Sequence, residues 1–163
     1  MANVGNAVHG FLAADVAGLD SNTRKQIAEG LLVRWELTES LTVENLLQAG
    51  DALRAWVKQH WSDAVWHREW PVMQKLPSGS TLGGIADLVL EQPTGIVIID
   101  HKTFPGSQEQ AIEKAQGFAA QLAAYGQAVS EATGQAIAGM FIHLPVGGLV
   151  LRVETTERKG VRL

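Results

Sequence analysis

Two strongly apolar runs, Ile85-Ala86-Asp87-Leu88-Val89-Leu90 and Ile96-Val97-Ile98-Ile99-Asp100, flank the breaker Gln92-Pro93-Thr94-Gly95. Aliphatic runs on either side of a Pro/Gly turn predict a hairpin of two strands. Each run is interrupted by one aspartate. Charged side chains are rarely buried unless they are paired or bind a metal, so this hairpin constrains chemistry as well as fold.

Register decides what the two aspartates can do together. If the hairpin turns about the Pro93-Thr94 bond, residue i faces residue 187 − i and Asp87 lies opposite Asp100. Directly opposed β-carbons are about 4.5–5.5 Å apart and like charges repel there. A hard divalent cation converts that repulsion into chelation, because magnesium and manganese prefer oxygen ligands. A three-residue turn with Gly95 left-handed pairs residue 92 with 96 and sends the aspartates to opposite faces, so both registers stay open. Lys102 follows Asp100 by two, which places the pair on one strand face and His101 on the other. A lysine beside a carboxylate-bound metal can orient or deprotonate water, or neutralise charge on a phosphoryl oxygen. The plainer reading is an Asp–Lys ion pair on an edge strand.

The first 62 residues carry apolar positions at helical spacing. Helices are predicted over about 4–17, 21–35 and 42–61, with Thr42 or Thr38 as cap of the third and a bend possible at Gly50. From residue 64 the period becomes two. Strands are predicted at 65–76, 81–91 and 96–103, then one long helix over 108–133, then strands at 136–144 and 149–154. This order predicts an α/β (α+β) fold in one domain: a helical region (1–62) carrying His9, a catalytic core (64–154) and a tail (155–163).

The run from Gly84-Ile85-Ala86-Asp87 to Ile98-Ile99-Asp100-His101-Lys102-Thr103 resembles the PD-(D/E)XK nuclease superfamily, specifically RecB/AddA-type nuclease domains of helicase–nucleases. Gly5-x-x-x-His9 resembles the early helical motif of those domains. Glu69 before Pro71 resembles an acidic position in the first core strand, and Gln121-x-x-x-Tyr125 resembles a later helix motif. The resemblance implies a restriction-endonuclease-like αβββαβ core, a mixed central sheet flanked by helices. It further implies that His9, Asp87, Asp100 and the backbone carbonyl of His101 hold Mg2+ or Mn2+, and that Lys102 assists the attacking water. By the same resemblance Gln121 and Tyr125 line the catalytic site with Asp87, Asp100 and Lys102, and Glu69 has a supporting role. His101 stands where the family often has tyrosine. Relatives of the AddB type and many CRISPR-associated ones use four cysteines for an iron–sulfur cluster; this chain has none, which favours the cluster-free side.

The expected activity is therefore divalent-metal-dependent hydrolysis of DNA in double-strand-break repair, with a helicase domain or subunit of a larger protein as partner. The alternatives are a catalytically silent nuclease-like module that binds DNA or docks a protein, and a hydrolase of small phosphate esters. A net charge of −4 provides no global basic field for nucleic acid. Arg152, Arg158, Lys159 and Arg162 form the one basic concentration. No signal peptide or long apolar run is evident, so a cytoplasmic protein without a membrane span is expected. Trp35, Trp56 and Trp61 read as core, and Trp66 and Trp70 as core or a base-stacking surface. His60, His67 and His143 read as structural, with His67 close enough in sequence to Glu69 to contact the site.

Overall fold

A computed structural model describes residues 2–75, 78–104 and 107–154. Three helices come first, α1 (Ala2–Ala14), α2 (Ser21–Arg34) and α3 (Val43–His60). The strands β1 (Val65–Lys75), β2 (Thr81–Gln92) and β3 (Gly95–His101) follow, then α4 (Gln108–Gln116), α5 (Ala119–Thr133), β4 (Ile137–Leu144) and β5 (Leu149–Arg152). The five strands form one mixed sheet in the order β1-β2-β3-β4-β5, with only β3 and β4 parallel. This is the α+β class expected from the element order, in the restriction-endonuclease-like form that the resemblance implies. Among the described residues no helix is long and apolar enough to cross a membrane.

Every residue of β3 is buried because both sheet faces are covered. Leu88, Leu90, Val97 and Ile99 pack with α1, α2 and α3, whereas Val89, Ile96 and Ile98 pack with α4 and α5. A strand covered on both sides reads as a continuous apolar run, which explains the composition of the hairpin. The β2–β3 register pairs Gln92 with Gly95 and Leu88 with Ile99. It is the two-residue turn of the two alternatives.

The long helix expected over 108–133 is two helices. Gly117 and Phe118 close α4 with tightened bonds to Lys114 and Ala115, and Phe118 turns inward against Phe104. The ring is partly buried against the α5-side core, and the neighbouring Gly117 weakens the helix at this junction. The last strand ends at Arg152, two residues short of the expected end. Arg158, Lys159 and Arg162, with the rest of the 155–163 tail, lie outside the described residues.

Polar contacts fix α1, the helix carrying His9. Asp15, at its carboxyl end, is 2% exposed and accepts from Arg24 Nε at 2.8 Å and Nη2 at 3.0 Å, with Arg54 Nη2 2.6 Å away. Arg68 of β1 donates to the carbonyls of Leu12 and Asp15, each at 3.0 Å, and Arg54 donates to Asp15 O at 2.8 Å. Cations at a helix carboxyl terminus satisfy its free carbonyls and its dipole. Helix α1 is thereby tied to α2, α3 and the sheet.

Helix α3 starts at a Thr42 capping box and runs unbroken through Gly50. A β-carbon at Gly50 would strike the Asp15 carboxylate and crowd the Phe11 ring, so glycine serves close helix approach there. Gly30, on exposed α2, has nothing within 4 Å of that position. Gly30→Ala should therefore raise stability by about 0.5–1 kcal/mol, whereas Gly50→Ala should lower it by about 1–3 kcal/mol despite better helix propensity. Urea denaturation of the two variants checks the opposite signs.

Candidate functional site

The ladder between β1 and β2 keeps step on both sides of Glu69 and Asp87, yet that pair is missing from it. Glu69 has φ 51°, a left-handed conformation uncommon outside glycine. The strands turn over at this point. On β1, Trp66 packs in the α1–α3 core and Arg68 bonds α1, whereas Trp70 and Val72 pack in the α5 core. On β2, Leu88 packs towards α1–α3 and Ala86 towards α5. Asp87 sits at the switch. On its other side, the β2–β3 ladder ends at Leu88 and Ile99, one step before Asp87 and Asp100.

The Asp87 side chain takes over where that ladder stops. Its Oδ2 accepts from the His101 backbone N–H at 2.6 Å. His9 reaches the same point from α1: its Nε2 lies 2.5 Å from the His101 carbonyl oxygen and 3.9 Å from Asp87 Oδ2. At the first of these distances Nε2–H donates to the carbonyl. Gly5, one turn earlier, faces Thr103, two residues past the end of β3, which brings the helix down onto the strand end.

Asp100 and Lys102 form the second half of the site. Strand alternation sends both towards the α4–α5 side, and Lys102 Nζ lies 2.8 Å from Asp100 Oδ2. Asp100 is 6% exposed, and this Oδ2 has no hydrogen bond despite the close ion pair. Lys102 Nζ also stands 4.7 Å over the Phe118 ring. Phe118 was not picked out from the sequence. Its signal is the residue pair that divides α4 from α5.

Burial pushes the Asp87 carboxyl up from 3.8 to about 6, and the Asp100 charge adds to this. His9, the His101 N–H and Lys102 act in the other direction. Behind the site, the His101 ring is buried and its Nδ1 is 3.0 Å from His143 Nδ1. Burial lowers His101 well below its ordinary range and His143 to about 4, so both rings are neutral and one Nδ1–H donates to the other. The His101 side chain thus faces away from Asp87 while its carbonyl faces His9.

The remaining expected residues are placed less closely. Gln121 Nε2 donates to Tyr125 OH at 3.2 Å, and the Tyr125 ring packs where a β-carbon at Gly84 would sit, three residues from Asp87. Among the described residues neither bonds Asp100 or Lys102. Glu69 is exposed and acts through its backbone at the turnover. His67 is turned away from the site, with Nε2 3.1 Å from Glu91 Oε2 and its ring edge-on to Trp70.

Two carboxylates, a carbonyl and one imidazole are donors of kinds that magnesium or manganese accept. Among the described residues no three His, Asp or Glu side chains stand together closely enough to hold a metal ion. Here the third atom beside His9 and Asp87 is a backbone carbonyl. Asp100 Oδ2, buried and paired with the Lys102 ammonium, adds the second carboxylate, so the residues fit the ion in kind.

An ionised Asp87 without a cation is costly. The folded chain holds its proton more tightly than the unfolded chain, so stability falls as pH rises from about 4 to about 6. Asp87→Asn should therefore stabilise the metal-free protein above pH 6, by at most roughly 3 kcal/mol, with the gain vanishing near pH 4. Thermal melts of both proteins in chelator at pH 4, 5 and 7 measure that difference.

In comparisons with known proteins, the family model for the PD-(D/E)XK nuclease superfamily matches residues 1–162. A search of curated proteins found no match.

Proposed function

The chain belongs to the PD-(D/E)XK nuclease superfamily, and from that membership we propose that it is a metal-dependent deoxyribonuclease with its active centre at Asp87, Asp100 and Lys102. The observation that carries this reading is the convergence at the end of β3. His9 Nε2, His101 O and Asp87 Oδ2 meet on one side, and the Asp100–Lys102 pair stands on the other.

In this reading His9, Asp87, Asp100 and the His101 carbonyl hold Mg2+ or Mn2+, the ions that nucleases of this superfamily generally use. When bound, such a cation supplies Lewis-acid polarisation of the phosphate and lowers the pKa of the attacking water. His9 offers Nε2 to a cation only as its Nδ1–H tautomer, and Asp87 must be ionised, so binding weakens in acid. The Lys102 ammonium, steadied by Asp100 and Phe118, lies beside the position where phosphoryl charge develops. It can stabilise that charge without reorganising. Tyr125 and Gln121 act behind β2, holding the Gly84 segment that leads into Asp87.

The finer assignment is to the RecB/AddA side, in double-strand-break repair beside a helicase. It is supported by the ordered motifs Gly5-x-x-x-His9 and Gln121-x-x-x-Tyr125 and by a sequence without cysteine to hold an iron–sulfur cluster.

Linear and circular DNA incubated with Mg2+ or Mn2+ test the activity. The wild type should cleave, and Lys102→Ala and Asp100→Ala should each lose about 100-fold or more in rate while retaining native circular dichroism. Cleavage that survives both substitutions contradicts the proposed centre. A wild type that binds metal without cleaving points instead to a silent module.

A further inference from the structure

Among the described residues three buried side-chain atoms lack a hydrogen-bond partner: Trp35 Nε1, Asp100 Oδ2 and Thr103 Oγ1. Asp100 Oδ2 is paired with the Lys102 ammonium and belongs to the proposed centre. Thr103 follows Lys102 directly, and its hydroxyl has no part in that centre as described above. A buried hydroxyl without a bond is unfavourable, and one beside a site points to a partner that comes with another state of the site.

The backbone places Thr103 against α1. Lys102 N–H donates to His143 O at 2.9 Å, so the extended path of β3 continues past its last ladder residue. Alternation then puts Thr103 on the side of His101, opposite Asp100 and Lys102. Its β-carbon lies 3.7 Å from where a β-carbon on Gly5 would stand. One helical turn on, His9 Nε2 meets His101 O. Helical side chains lean towards the amino terminus, so the His9 imidazole leans over the Gly5 turn, which is the turn that Thr103 faces. Among the described residues His9 makes its polar contacts through Nε2 alone, and Nε2–H donates to the carbonyl. A cation at Nε2 requires the proton on Nδ1 instead. A metal-bound imidazole almost always donates that second N–H, and the bond sets the orientation of the ring. We propose that Thr103 is a positioning residue: its hydroxyl accepts the Nδ1–H of His9 when Nε2 turns to the divalent cation. The hydroxyl is unpaired while Nε2 holds the proton and paired once Nδ1 does. The inference rests on the metal reading of the centre and deepens it.

Calorimetric titration of Mn2+ and thermal melts in chelator test this together, neither of them requiring cleavage. Thr103→Val keeps the shape of the side chain and removes its oxygen. It should weaken Mn2+ binding about tenfold, the usual cost of losing such an orienting bond. The same substitution should raise the Tm of the chelated protein by about 2–4 °C, because an unpaired buried hydroxyl is gone. Thr103→Ser keeps the acceptor and should bind Mn2+ within about threefold of wild type. In a His9→Ala background Thr103→Val should cost less than about twofold, since the hydroxyl then has no imidazole to hold. Wild-type Mn2+ affinity in Thr103→Val, an equal loss in Thr103→Ser, an equal further loss in the His9→Ala background, or a lowered Tm of chelated Thr103→Val would overturn the role of Thr103 and leave the metal site standing. Absence of Mn2+ binding by the wild type overturns the metal reading, and the role of Thr103 with it.

Discussion

The bond from the His101 backbone N–H to the Asp87 carboxylate holds the site together. It stands where the β2–β3 ladder stops, so a side chain performs what main chain does elsewhere in the sheet. One end of this bond fixes a carboxylate inside the protein. The other fixes the peptide whose carbonyl meets His9. Removing either end would release both potential oxygen ligands at once. The arrangement is electrostatically unfavourable alone, since burial raises the Asp87 pKa and Asp100 adds like charge. A divalent cation between the two carboxylates would reverse that sign, which is the physical reason for the metal reading proposed above.

Three layers converge on that point. Helix α1 delivers His9 and is anchored by Asp15 with Arg24, Arg54 and Arg68, so a buried polar cluster some distance from the centre sets the height of an imidazole over β3. The sheet supplies the carboxylates and the carbonyl. The α4–α5 junction supplies Phe118 beneath Lys102.

The hairpin was legible in the sequence because two apolar runs flank a Pro-Thr turn, but the choice between its two registers was not, and the structure has the two-residue turn. Lys102 followed from alternation alone. His9 could be assigned only through the ordered motifs of a family, since a lone histidine on a helix has many structural explanations. The strand turnover at Glu69 and Asp87 could not be read. It depends on a left-handed backbone at a glutamate, which no local propensity announces. Division of the long helix was missed because its signal is slight: one glycine, Gly117, beside a Phe118 that packs partly buried against the core. The polar anchor of α1 was invisible because its members lie far apart along the chain.

The central claim is that Asp87 and Asp100 bind a divalent cation with the His101 carbonyl and His9. Calorimetric titration of Mn2+ into the wild type and Asp100→Asn at neutral pH tests it most directly, without requiring turnover. Saturable binding by the wild type, lost or weakened about tenfold or more in the variant, is the predicted result. Equal Mn2+ binding by both proteins, or none by the wild type, would contradict the account.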